Sequence, residues 1–392
     1  MMDQKDFVLV CAGEDSGDAL GEVVVQEICA QGYAIKGTGG PRMQKAGLVP
    51  LADYEELPVS GFGDVLPRYF RLRKIFNILK IALLDKHCLA FIAIDYPGFN
   101  MKLMRLAFAK WKNFPKVPAL YIAPPQAWAW KSSRAKKLQK AQLAVLFAFE
   151  KNFYESKGCR VQQIQHPFAI FAKQASQIML EKMEPEPQLL LFPGSRLAQV
   201  LRNLPFFLDV ARLWHNQNTH KFVKIVVSRE SLKAKVENFV DDYCNGTVPN
   251  WLSILVAPAD GKARFDLLYG ASLALSSPGT ATLELALAGV PLVVSTVPDK
   301  LTYFIGSHFV KTQNFALPSI ILEKKLFPEF ICSVQKTAEN ETVECVVGAL
   351  QSASQQPTQE TVLCLQKRLS VGKTLQELTL EFLGKFVQGN AH

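Results

Sequence analysis

The stretch Phe7-Val8-Leu9-Val10-Cys11-Ala12-Gly13-Glu14-Asp15-Ser16-Gly17-Asp18 decides how this chain folds. Phe7–Ala12 is a short apolar run that reads as a buried strand. A glycine-rich turn follows, and then a helical pattern from about Asp18 to Gln31. Strand, tight turn and helix make one βα unit, and the pattern recurs outward along the chain. Leu89–Ile94, Ala119–Ile122 and Leu143–Ala148 read as further buried strands, separated by helical segments. That alternation predicts βαβ units and a parallel sheet.

The pattern restarts after Gln174–Gln188, a polar segment that reads as a surface loop. Leu189–Phe192, Phe222–Val227, Leu252–Val256, Leu273–Ser276 and Leu292–Val294 read as a second set of strands, and Gln359–Val387 as a helical tail. A length of 392 residues suits two domains of ordinary size. The expected fold class is α/β, with two Rossmann-like domains facing a cleft and joined near His166-Pro167. In such folds ligands bind beyond the C-terminal ends of the strands.

Composition narrows the function. With 49% hydrophobic and 20% charged residues the chain is globular. No stretch approaches the roughly 18 consecutive apolar residues needed to cross a bilayer. The acidic start at Asp3 and Asp6 is unlike a signal peptide, so a cytoplasmic location is expected. The eight cysteines show neither a C-x-x-C pair nor zinc spacing. Residues 68–151 carry 17 Lys/Arg against Asp85, Asp95 and Glu150, a local +14, which leaves the rest of the chain at −5. A patch of that kind attracts phosphorylated substrates, anionic lipid or nucleic acid. No recognised nucleic-acid module accompanies it, so no nucleic-acid partner is expected.

Five motifs carry the chemistry. Gly13, Glu14, Ser16, Gly17 and Asp18 follow the first strand; they read either as an anion-binding turn or as a βα turn in which Ser16 or Asp18 caps the helix. It is not G-x-G-x-x-G, and Gly372-Lys373-Thr374 is not a P-loop, because Lys367 stands where the first glycine is required. Asp95 ends a strand in Ile94-Asp95-Tyr96-Pro97-Gly98-Phe99-Asn100, where a carboxylate is either a turn residue or a general base for a hydroxyl. Pro124, Pro125, Trp128 and Trp130 read either as a stiff wall with stacking surface or as buried aromatics holding a loop. Pro193, Gly194, Ser195 and Arg196 form a strand-to-helix turn whose arginine can pair with a diphosphate. Gly279, Thr280 and Ala281 open a helix fit to hold phosphate, and Glu284 lies one turn in, placed to accept from a ribose diol.

Together with Gly39-Gly40-Pro41-Arg42-Met43, Val310-Lys311-Thr312 and Leu317-Pro318, these motifs resemble the lipid-A-disaccharide synthases, in order from about residue 9 to residue 332. The resemblance implies a glycosyltransferase-B fold with domains at 1–167, joined by a tail helix at 366–392, and at 168–365. It implies transfer of 2,3-diacylglucosamine from UDP-2,3-diacylglucosamine to the 6-hydroxyl of 2,3-diacylglucosamine 1-phosphate, with inversion, and neither metal nor cofactor. On that pattern Asp95 is the base, with Glu14 in reserve; Arg196, Gly279 and Thr280 hold the diphosphate, and Glu284 the ribose. Gly13 and Gly17 face either acceptor or donor. The chain departs from the family at Gly98, Gln165, Gln199, Pro278 and Ser319. The resemblance leaves open a homodimer and implies peripheral binding to the inner face of the inner membrane.

Residues 62–84 are the expected membrane contact. Tyr69, Leu72, Phe76, Leu79 and Leu83 recur at helical spacing, preceded by Phe62, Val65 and Leu66. Arg68, Arg71, Arg73, Lys74 and Lys80 accompany them with no acid before Asp85. That charge pattern favours a helix lying in an anionic interface over an ordinary amphipathic helix packed on its own domain, which the periodicity alone allows equally.

Overall fold

The computed structural model describes residues 6–57, 61–109, 117–128, 132–169, 186–258, 261–269, 271–298, 314–332, 340–353 and 357–386. Two compact units divide the chain, one of 1–59, 63–167 and 369–392, the other of 60–62 and 168–368.

The first unit is a parallel sheet in the order β3-β2-β1-β4-β5-β6-β7. Its strands are β1 Phe7–Cys11, β2 Ala34–Thr38, β3 Val49–Pro50, β4 Cys88–Ile94, β5 Ala119–Ile122, β6 Gln142–Val145 and β7 Arg160–Gln163. Alternate residues of each strand feed two separate cores, as the two-residue period of a strand requires. Phe7, Leu9, Phe91, Ala93, Tyr121 and Leu143 meet α3 (Gly61–Leu83), α4 (Pro97–Ala107) and α5 (Ala148–Ser156). Val8, Val10, Ile92, Leu120 and Ala144 meet Leu20, Val24 and Ile28 of α1 (Asp15–Ala30) and Met43 of α2 (Pro41–Ala46). Leu375, Leu378, Phe382 and Leu383 of the C-terminal helix join that second core. Helices on both faces are what bury a sheet whose strands are apolar throughout.

The second unit repeats the plan in the order β10-β9-β8-β11-β12-β13. Its strands are β8 Glu186–Phe192, β9 Phe222–Val227, β10 Leu252–Val256, β11 Ala271–Ser276, β12 Leu292–Thr296 and β13 Glu329–Ile331. Its helices are α6 Leu197–Asn216, α7 Glu230–Tyr243, α8 Gly261–Tyr269, α9 Thr280–Leu287, α10 Leu317–Ile321, α11 Asn340–Ser352 and α12 Gln359–Leu369, while the C-terminal helix α13 Leu375–Phe386 belongs to the first unit. Leu204, Phe207 and Ala211 of α6, Val236 of α7 and Val346 of α11 close one core over Leu189, Leu191 and Leu275.

Several boundaries differ from expectation. The first helix starts at Asp15 rather than near Asp18. The strand expected over Leu143–Ala148 stops at Val145, because the Glu150 carboxylate reaches back to the Leu146 amide at 3.3 Å and starts α5 instead. The tail is two helices, broken around Gly372, which has φ +104 and no room for a Cβ beside the Gln163 carbonyl. The short strands β2, β3, β7 and β13 had no distinct signal in the sequence.

The membrane expectation needs correction. Leu79 and Leu83 are fully buried with Ile75 in the core against β1 and β4, and Leu72 and Phe76 pack on that core, Phe76 edge-on to Phe99. A helix lying on a sheet buries its apolar face there, and periodicity cannot tell that burial from contact with lipid. The surface of α3 is instead Phe70 (78% exposed), Arg71, Arg73, Lys74, Asn77 and Ile81 (72% exposed). The side chains of Phe62, Val65, Leu66, Arg68 and Tyr69 lie outside those described. Among the described residues, no helix is long and apolar enough to cross a membrane.

Candidate functional site

Each sheet reverses its strand order between its first strand and the fourth strand of its own run, β1 beside β4 and β8 beside β11. Such switch points open a crevice at the C-terminal ends of the strands. The motifs found in sequence leave from those ends.

In the first unit Cys11 lies opposite Ala93 in register, so the Gly13–Asp18 turn and Asp95 leave the sheet side by side. Ser16 Oγ donates to Asp95 Oδ2 at 3.3 Å. Asp95 and the next residue, Tyr96, both adopt left-handed backbone, with φ 46 and 48. Side chains resist that conformation, and it persists only where surrounding bonds enforce it. Here the buried Asn100 does so: its Nδ2 donates to the carbonyls of Cys11, Ile94 and Asp95 at 3.1, 3.2 and 2.8 Å. The Tyr121 hydroxyl donates to the Asp95 carbonyl at 3.0 Å, and the Tyr96 hydroxyl to Leu57 at 2.6 Å. Gly13 is required because a Cβ there would sit 2.5 Å from the Tyr96 ring.

Glu14 occupies the cap position of α1 without a side-chain cap bond. Asp18 corrects both readings given to it. Its carboxylate caps a different helix, accepting from Arg42 N and Met43 N of α2 at 3.1 Å each, and it is buried there rather than presented to a ligand. Desolvation raises its pKa from the ordinary 3.8, opposed by the amides of Met43, Arg42 and Gly40.

Trp128 stands on the loop after β5, edge-on to Phe149 at 5.0 Å; Trp130 lies outside the described residues. Phe149 stacks on Phe147, and Phe147 on His166. Tyr154 anchors the loop through the Pro125 carbonyl. Beneath it lies Glu150, whose pKa burial raises from 4.5 to about 7, against the pull of the Leu146 and Phe147 amides and Trp128. Trp128 Nε1 lacks a hydrogen bond of good geometry, so its effect on Glu150 is one of proximity. Burial pushes the His166 pKa down from 6.5 to about 3.

In the second unit Phe192 lies opposite Ser276, which brings Pro193–Arg196 beside Ser277–Thr280. Arg196 is the cap residue of α6. Gly279 has φ 152, and open space surrounds the place a Cβ would take; it is glycine for its backbone, not for crowding. Ser195, Gly279 and Thr280 are exposed. The buried Asn203 ties the Pro193 carbonyl (2.7 Å) to the Val297 amide (2.8 Å), the counterpart of Asn100 in the other sheet. Glu284 is buried and pairs with Arg264 of α8 at 2.6 Å.

Four supporting residues were not given roles by sequence. Asn100 lay inside a quoted motif; Glu150 stood out only as one of three acids in a basic stretch; Asn203 and Arg264 carried no signal.

Two doubly wound units, each with a switch point at its first strand, have the glycosyltransferase-B fold. α,α-Trehalose 6-phosphate synthase from Burkholderia multivorans shares the fold, with TM-score 0.54, 11% identity and coverage of 99% of this chain and 100% of that one. S. aureus MnaA, solved with UDP, shares it at TM-score 0.55 and 9% identity over 98% and 97%. The family model for Lipid-A-disaccharide synthetase matches residues 8–379, and the chain belongs to that family. A Lipid-A-disaccharide synthase from Trichlorobacter lovleyi is 32% identical over 358 residues, 88% of this chain and 87% of that protein. One from Geobacter metallireducens is 28% identical over 392 residues, 96% and 97% of the two. The chain is thus an enzyme, a glycosyltransferase of lipid A biosynthesis.

Proposed function

We propose that this enzyme transfers 2,3-diacylglucosamine from UDP to the 6-hydroxyl of 2,3-diacylglucosamine 1-phosphate, giving a β-1,6 disaccharide and UDP. The observation that carries this reading is the family match across both units, with Asp95 fixed at the switch point of the first sheet. In a single displacement, Asp95 accepts the proton of the acceptor hydroxyl. The acceptor hydroxyl oxygen bonds to the anomeric carbon as the bond to UDP breaks, and the electron pair leaves on the diphosphate. Configuration inverts. Arg196 and the Gly279–Thr280 turn stabilise the charge that gathers there. Glu284 accepts from the ribose, and Glu14 is the alternative base.

Both sugars carry acyl chains, so the enzyme meets them at a lipid surface, at the inner face of the inner membrane. Phe70 and Ile81, flanked by Arg71, Arg73 and Lys74, are the contact supported by exposure and charge. UDP release measured with the UDP-sugar alone and with added 2,3-diacylglucosamine 1-phosphate tests the reaction. Release that depends on the acceptor is expected; no release with both substrates present overturns it.

A further inference from the structure

The Arg264–Glu284 pair has features that a stability role does not explain. The side chains are 24% and 7% exposed and meet at 2.6 Å, joining α8 to α9. Desolvating two charges costs several kcal/mol, roughly what their attraction returns, so apolar residues would hold these helices as well. What an ion pair supplies in addition is direction. A guanidinium fixed on Oε2 sets the plane of the Glu284 carboxylate, an acceptor for hydroxyl donors. Glu284 lies one turn beyond the exposed Gly279–Thr280 start of α9, and Thr282 braces that turn through the Gly279 carbonyl at 2.7 Å. Arg264 is itself absent from every motif in the sequence, standing in Gly261-Lys262-Ala263-Arg264-Phe265.

We infer that Arg264 is a positioning residue for the donor nucleotide: it orients the Glu284 carboxylate so that it accepts from the ribose hydroxyls, and so sets the preference for a ribonucleotide. This rests on the ribose role of Glu284 proposed above. Binding of UDP and of 2′-deoxy-UDP to the full-length protein, measured by calorimetry, tests both.

Wild type is expected to favour UDP by about tenfold or more, the scale of one charged hydrogen bond. Glu284→Gln removes that preference if the ribose role is right; a preference left intact overturns the ribose role, whatever Arg264 does. With that role upheld, Arg264→Gln is expected to bring the ratio near one without loss of the thermal transition. Arg264→Lys, which keeps the charge but not the planar fork, is expected to keep part of it. If Arg264→Gln weakens both ligands equally and keeps the ratio, Arg264 serves the diphosphate or the fold and the inference is wrong. Should Arg264→Gln fail to fold, Arg264→Lys decides, and a ratio unchanged from wild type overturns the inference.

Discussion

Ser16 Oγ lies 3.3 Å from Asp95 Oδ2, although 79 positions separate the two residues in the chain. The contact exists because β1 and β4 are neighbours in the sheet while β2 and β3 lie on the other side of β1. Asp95 directly follows β4 and Ser16 stands five positions beyond β1, so the hydroxyl and the carboxylate converge at one rim. A hydrogen bond to one oxygen of Asp95 restricts how its carboxylate can turn.

Asp95→Asn is therefore expected to lower turnover by about 10²–10⁴-fold, the usual weight of a general base, with UDP affinity unchanged. Steady-state rates beside calorimetry check this. Retention of more than about a tenth of the rate would move the role to Glu14.

Arg196→Ala is expected to weaken UDP by tens-fold, since one charged hydrogen bond is worth roughly 1.5–3 kcal/mol, and to leave uridine affinity nearly unchanged. The contrast follows from the diphosphate role proposed for Arg196 and the Gly279–Thr280 turn. Equal losses for both ligands would put the arginine on the nucleoside.

Asn100→Ala removes the donor that three carbonyls share. A loss of about 1–3 kcal/mol in urea unfolding is expected, with a fall in turnover as the left-handed turn at Asp95 and Tyr96 relaxes. An Asn100→Ala enzyme with full activity would show that the turn does not need this clamp.

Glu150 and His166 make opposed contributions to stability against pH. The Glu150 pKa is raised from 4.5 to about 7, so its contribution is complete below 4.5 and is lost as pH rises through 7. The His166 pKa is lowered from 6.5 to about 3, so its contribution is present above 6.5 and is lost as pH falls toward 3. Between pH 4.5 and 6.5 the two slopes cancel in the native protein. Glu150→Gln is expected to expose the histidine slope, on the order of 1 kcal/mol lost per pH unit of acidification. Urea midpoints taken across that window check the sign; a variant with a flat profile would place the cancellation elsewhere.

Phe70→Ser with Ile81→Ser is expected to release the enzyme from anionic vesicles while leaving the thermal midpoint nearly unchanged, because both side chains are exposed. Leu79→Ala, at a fully buried position, is expected instead to cost about 2–5 kcal/mol in stability. Co-sedimentation and thermal melts distinguish the two. Full sedimentation of the double variant would remove this face of α3 from the lipid contact.

The sequence by itself determined the alternation of strand and helix, because buried strands must be apolar runs and glycines must mark the turns between them. It also located Asp95, Arg196 and Gly279, since a residue just past a buried strand can only lie at the rim of a parallel sheet. What it could not supply was any relation between side chains from separate elements. The strand order put Ser16 beside Asp95. The packing of α1 on α2 turned Asp18 from a candidate ligand contact into a helix cap. The docking of α3 on its sheet decided that Leu79 and Leu83 face β4 and that Phe70 and Ile81 face outward. Helical periodicity fixes which residues share a face, but only tertiary packing fixes what that face meets. The same holds for Arg264, whose partner stands 20 positions away on another helix and leaves no trace in the chain order.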